Sequence, residues 1–207
     1  IAVTGSNGKT TTKEMIAAIL RAWLGEDAML ATRGNLNNDI GVPLSVLRLS
    51  EAQQAAVFEL GMNHPGEIAL LARIAQPTIA LVNNAQREHQ EFMHSVDAVA
   101  RENGTVLQGL GATGVAVYPG DDHYAHLWRE MAGPARSMCF GFDSRLPVHA
   151  DEIRAEPTHT RFRLCTPVGT AMVDLPMPGV HNLRNALAAA ACCLAAGAPL
   201  ASLVTGL

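Results

Sequence analysis

The residues most able to do chemistry come first in the chain. Thr4-Gly5-Ser6-Asn7-Gly8-Lys9-Thr10-Thr11-Thr12 sets two glycines, a lysine and a row of hydroxyls side by side, after the apolar Ile1-Ala2-Val3 and before a helical pattern. Glycine tolerates the backbone bends that let consecutive N–H groups converge on phosphate oxygens. A helix that starts there adds the partial positive charge of its N-terminus. Phosphate contacts are therefore expected from Gly5, Ser6, Asn7, Gly8, Lys9, Thr10 and Thr11. Lys9 suits the outer phosphates of a nucleotide, and the Thr10 hydroxyl suits a Mg²⁺ ion. The general motif places a further glycine where this chain has Val3. A glycine turn that merely starts a helix is the alternative.

A magnesium–nucleotide site needs a carboxylate, and in an open parallel sheet it belongs at the carboxyl end of a strand near the phosphate loop. Glu59 closes the apolar run Ala55-Ala56-Val57-Phe58 and meets that description; an edge carboxylate facing water is the bland reading. Asn83 and Asn84 end the next apolar run, Ile79 to Val82, and His89 follows. These side chains could converge on the same crevice, although turn chemistry alone accounts for the asparagines. His89, Glu91 and His94 do not have the spacing of a usual zinc motif, and His123 and His126 read as surface residues.

The elements that must position these groups alternate. Candidate strands are Ala55 to Leu60, Ile79 to Val82, Val115 to Tyr118 and Met138 to Phe140. Met15, Ile16, Ile19, Leu20, Trp23 and Leu24 recur at helical spacing after the loop. Further helical patterns run over Glu67 to Ala75 and Val96 to Leu110, the latter with Ser95 as N-cap. This is the pattern of an α/β fold, a mostly parallel sheet flanked by helices, of the P-loop mononucleotide-binding type. The style changes near Pro147. Arg161 to Cys165 and Thr170 to Leu175 flank a tight turn and read as a hairpin, so a small antiparallel β appendage is expected over about 146–178. A helix follows from about Leu183 to Ala196.

Composition sets outer limits. Of the 207 residues 48% are hydrophobic and 16% charged, enough for a sizeable core. A net charge of −4 gives no sign of the basic face that binds nucleic acid. Lys9 and Lys13 are the only lysines. The four cysteines show no CxxC spacing, which fits a reducing cytoplasm. The apolar stretch from Ala186 to Val204 is broken by Gly197 and Pro199 and reads as a buried helix rather than a membrane span. No signal peptide is visible. The abrupt ends, Ile1-Ala2-Val3 and Thr205-Gly206-Leu207, suggest a piece of a longer protein.

Taken together, these motifs resemble the Mur ligase family. Thr4 to Thr12 is similar to its short phosphate loop. Three stretches are similar to the branch that adds D-alanyl-D-alanine: Gly34-Asn35-Leu36-Asn37-Asn38-Asp39-Ile40-Gly41-Val42-Pro43, the run from Glu59 through Gly61-Met62-Asn63-His64-Pro65-Gly66 to Ile68, and Asn83-Asn84-Ala85 running to Glu88-His89. Gly179-Val180-His181-Asn182-Leu183-Arg184-Asn185 is similar to the family's adenine-binding helix start.

The resemblance implies that residues 1–207 are the central ATP-binding domain of a three-domain ligase, inert without its flanking domains, monomeric and cytoplasmic. It implies ATP and Mg²⁺, with UDP-MurNAc-tripeptide and D-alanyl-D-alanine as substrates and an acyl phosphate between them. It further implies that Thr10 and Glu59 hold one Mg²⁺ and that His89 helps with a second. Asn37 and Asn38 would face the substrate, and Asn182 and Asn185 would contact adenine. Asn103 falls where many Mur ligases carry a carbamylated lysine. Helical spacing turns Asn103 inward with Val99 and Val106, but an amide supplies no negative charge. Another Mur-type ligase, a folylpolyglutamate synthetase-like enzyme and a P-loop nucleotide switch are the alternatives; the stretch from Asn35 to Pro43 argues against the first two.

Overall fold

The computed structural model describes residues 1–87 and 95–207. A single sheet of nine strands runs in the order β2-β3-β1-β4-β5-β6-β7-β8-β9. The strands are β1 (Ala2–Thr4), β2 (Met29–Ala31), β3 (Ala55–Glu59), β4 (Ile79–Val82), β5 (Val115–Pro119), β6 (Arg136–Gly141), β7 (Val148–Ala155), β8 (Thr160–Thr166) and β9 (Gly169–Leu175). All pairings from β2 across to β7 are parallel, and β8 and β9 then pair antiparallel. The antiparallel strands continue the edge of the main sheet, because Phe140 of β6 pairs in register with Val148 of β7.

Parallel strands are buried on both faces, so they read as continuous apolar runs in which alternate residues enter different cores. Val3, Val57, Leu81 and Val117 face one core with Ile16, Ile19 and Leu20 of α1 (Lys9–Leu24). That core is completed by α6 (Val180–Ala195) and α7 (Leu200–Gly206), whose alanines and Cys192 and Cys193 let the helices come close to the sheet. Ala2, Phe58, Ala80 and Ala116 face the opposite core. It is built with α2 (Gly41–Val46), α3 (Glu67–Ala75), α4 (Val96–Gln108) and α5 (Ala125–Met131). Ile16, Ile19 and Leu20 are fully buried, and each contributes about 1.5–3 kcal/mol in apolar transfer.

Helix ends follow local chemistry. α1 stops where Gly25 turns to φ 89° and donates its N–H to the Arg21 carbonyl. Ser95 caps α4 as expected, its hydroxyl accepting from the Ala98 N–H at 3.1 Å. Within α4, Gly104 allows α5 to approach, since a Cβ there would lie 2.5 Å from the Met131 sulfur. Trp128 of α5 then donates to the Ala100 carbonyl at 3.0 Å. Among the described residues no helix is long and apolar enough to cross a membrane.

Candidate functional site

The register of the central strands decides where chemistry can occur. Val3 pairs with Glu59 on one side and with Leu81 on the other. The chain therefore leaves β1 at Thr4 beside the carboxyl ends of β3 and β4, and the loop Gly5 to Gly8 lies between Glu59 and Asn83.

Two glycines in the loop are sterically required. Gly5 has φ 136°, and a Cβ there would meet Asn83 Cβ and the Asn84 nitrogen at 3.0 Å. Gly8 has φ 75°, and its Cβ would lie 2.5 Å from Asn185 Oδ1. Gly8 begins α1 from the left-handed region, so Lys9 and Thr10 open the helix. Lys9 Nζ donates to the carbonyls of Gly5 and Ser6, at 2.5 and 3.1 Å. Thr10 is exposed and Thr11 half-buried at the same helix start.

The loop is braced from β4 and α6. Asn83 Nδ2 donates to the Asn7 carbonyl at 2.9 Å and to Asn185 Oδ1 at 3.0 Å. Asn84 Oδ1 accepts from the Asn7 N–H at 3.0 Å, and Asn84 Nδ2 donates to the Asn7 carbonyl at 2.9 Å. Gln86 closes the set: its Oε1 accepts from Asn7 Nδ2 at 2.6 Å, and its N–H donates to Ser6 Oγ at 2.8 Å. Both asparagine amides are thus spent on the loop, and Asn185 is spent behind it. Asn182, one turn earlier on α6, donates to the Pro178 carbonyl at 2.7 Å.

Glu59 is 2% exposed. Its backbone N–H donates to Thr32 Oγ1 at 3.0 Å, and Oε1 accepts from Asn37 Nδ2 at 2.8 Å. Oε2 is buried with no hydrogen-bond partner. An orphaned carboxylate oxygen in that environment is costly, and a bound cation is the partner that suits it. Asn37, Asn38 and Lys9 line one cavity of about 240 Å³, together with Asp39, Gly61 and Glu67. Asn38 also has a local task, accepting from the Gly41 N–H at 2.8 Å to start α2.

Asn103 points inward as its spacing required, with no exposure. Thr4 Oγ1 donates to its Oδ1 at 2.7 Å, while Nδ2 is without a partner. It therefore sits directly behind the first residue of the loop. His89 lies outside the described residues.

Several contributors were not foreseen from the sequence. Lys13 is completely buried one turn beyond Lys9; its Nζ bonds Glu14 and reaches the Thr32 carbonyl at 3.1 Å. Glu102, beside Asn103, accepts from the Ile68 N–H at 3.0 Å in the first turn of α3, where a carboxylate suits the helix dipole. Asp121, past β5, forms a two-pronged pair with Arg184 of α6 at 2.7 and 3.0 Å and accepts from the Phe142 N–H at 2.9 Å. Burial pushes the Asp121 carboxyl up, but the Arg184 and Phe142 hydrogen bonds outweigh it and hold the group below its ordinary value. Apart from the neighbouring Lys13–Glu14 pair, each partner is distant in sequence and leaves no short-range signal. Towards one end of the sheet, on β7 and β8, His149, Asp151 and Cys165 approach one another, but Arg163 already holds both Asp151 oxygens, at 2.7 and 2.9 Å.

Residues 3–193 match the family described as Mur ligase middle domain. Over 208 residues the chain is 42% identical to the UDP-N-acetylmuramoyl-tripeptide--D-alanyl-D-alanine ligase of Escherichia coli (strain K12), with 100% of this chain and 45% of that protein covered. A crystal structure of MurF from Acinetobacter baumannii superposes with a TM-score of 0.94 at 42% identity, covering 100% of this chain and 44% of that one. MurF ligase from Thermotoga maritima, crystallised in complex with ADP, gives 0.84 at 25% identity, covering 98% and 47%. This chain thus spans just under half the length of these relatives, and by the extent of the match it belongs to the Mur ligase family.

Proposed function

We propose that residues 1–207 form the central ATP-binding domain of a cytoplasmic ligase that joins D-alanyl-D-alanine to UDP-MurNAc-tripeptide. The reading rests above all on Lys9 and Glu59. Lys9 opens α1 directly after the glycine loop that leaves β1, and Glu59 ends the adjacent parallel strand β3 with a buried oxygen in need of a cation. The Escherichia coli relative is a UDP-N-acetylmuramoyl-tripeptide--D-alanyl-D-alanine ligase, which supports the choice of substrates, and ADP in the Thermotoga maritima structure supports the nucleotide.

The chemistry follows from the groups present. ATP transfers its terminal phosphoryl group to the peptide carboxylate. The amine of the dipeptide attacks the resulting acyl phosphate, and inorganic phosphate leaves from a tetrahedral intermediate. Lys9 exchanges the Gly5 and Ser6 carbonyls for phosphate oxygens, and the N–H groups from Gly8 to Thr11 at the start of α1 would reach the same oxygens, those of Ser6 and Asn7 being taken by Asn84. Mg²⁺, when bound, neutralises charge on the outer phosphates; Thr10 and Glu59 would hold it, and the orphaned Glu59 Oε2 fits that role. His89 would serve a second, weaker cation position, and Asn103, whose Oδ1 is taken by Thr4, would act there by orienting a neighbouring group and not as a ligand. Asn37 and Asn38 face the acceptor cavity, and Asn182 at the start of α6 would meet the adenine end, with Asn185 holding the loop from behind.

The test is ATP-dependent phosphate release by the polypeptide carrying this domain. Release should require UDP-MurNAc-tripeptide and D-alanyl-D-alanine together. Release that needs neither would identify a nucleotide switch and end the ligase reading.

A further inference from the structure

Glu59 offers its two carboxylate oxygens unequally. Oε1 is taken by Asn37 Nδ2 at 2.8 Å, and Oε2 is left without a partner. Asn37 is itself fixed. Its carbonyl accepts from the Gly61 N–H at 2.8 Å, its N–H donates to Asn35 at 2.8 Å, and a Cβ on Gly61 would press on its amide carbon at 3.0 Å. The Glu59 backbone is pinned from the other side by Thr32, whose carbonyl receives Lys13. The carboxylate cannot turn to present both oxygens without breaking the Asn37 bond.

We propose that Asn37 is a positioning residue that sets the cation preference of this site: by occupying Oε1 it makes Glu59 a one-oxygen ligand and so favours Mg²⁺ over Ca²⁺. The proposal rests on the metal role given to Glu59 above. Mg²⁺ demands near-octahedral geometry at about 2.1 Å, whereas Ca²⁺ accepts two oxygens of one carboxylate at about 2.4 Å. A hydrogen-bonded Oε1 suits the first ion and penalises the second. Asn37 thereby has work to do on the metal side of the cavity as well as on the substrate side.

Mn²⁺ bound to the protein, followed by electron paramagnetic resonance and displaced with Mg²⁺ or Ca²⁺, separates the effects. Asn37→Ala should weaken Mg²⁺ about tenfold, the scale of losing an outer-shell partner, while Ca²⁺, which gains the freed Oε1 in exchange, stays within about twofold or tightens. Asn37→Ser provides the same reading should the alanine variant fold poorly, with folding checked by circular dichroism. Equal losses for both ions, or no loss for either, would overturn the proposal. Glu59→Gln should abolish Mn²⁺ binding in either case. Binding that survives that change would remove the metal role of Glu59 itself, and the Asn37 proposal with it.

Discussion

Asn83 and Asn185 meet beneath the phosphate loop, Nδ2 to Oδ1 at 3.0 Å, across 102 positions of sequence. The same Asn83 amide holds the Asn7 carbonyl at 2.9 Å, so one side chain at the end of β4 ties the loop to the start of α6. Asn83→Leu keeps the volume and removes both bonds. It should lower stability by about 1–3 kcal/mol, since buried polar partners are left unmade, and should weaken ATP binding with it. Thermal unfolding and titration with a fluorescent nucleotide measure the two effects. Unchanged nucleotide affinity in a destabilised variant would show that the loop needs no brace from β4.

Gly8 carries two constraints that separate experimentally. Gly8→Ala places a methyl 2.5 Å from Asn185 Oδ1 and forces alanine to φ 75°. The left-handed backbone alone costs about 1–2 kcal/mol, and the overlap adds a comparable amount. In an Asn185→Ala background, which has already lost the bond to Asn83, the overlap is relieved and the backbone strain stays, so Gly8→Ala should lower the melting temperature less than it does in the parent protein. No effect of Gly8→Ala in that background would show that φ at Gly8 does not matter.

The Asp121–Arg184 pair predicts an acid-side loss of stability. The folded carboxyl is held below its ordinary value of 3.8 by Arg184 and Phe142 against the upward push of burial. A depressed carboxylate contributes stability above its unfolded pKa and loses it as pH falls through the folded value. Unfolding free energy should therefore decline below about pH 4 in part through this group, and Asp121→Asn should flatten that part of the profile. Urea titrations from about pH 3 to about pH 7, across the carboxylate range, provide the comparison.

Asn103 predicts unequal metal sites. The resemblance implies that this amide stands where many Mur ligases carry a charged carbamate, and an amide there would give a second Mg²⁺ no anionic ligand. Titration of the nucleotide-bound protein should show one tight and one weak Mg²⁺. Two equally tight sites would contradict the assignment.

Much of this was legible in the sequence because it is local. The glycines and Lys9 lie within one loop, and β4 and α3 fall where apolar periodicity put them, at Ile79–Val82 and Glu67–Ala75. The short strand β2 and the six-residue α2, which contains Pro43, were not read because three to six residues carry too little periodicity. Asn83 and Asn84 illustrate a second limit. Asparagines at a strand end suit turns, metals and braces alike, and only their contacts with Asn7 and Asn185 decide among these. Asn37 likewise read as a substrate residue, and its bond to Glu59 spans 22 positions that no pattern links.

The joint between Gly8 and Asn185 also bears on binding entropy. It couples the segment proposed to grip phosphates to the helix proposed to receive the base, so the two ends of a nucleotide would dock on one stiff scaffold. The freedom such a scaffold lacks is surrendered when the polypeptide folds and need not be surrendered again on encounter. Association should then resemble key-in-lock docking, with most of any later motion left to parts outside these strands.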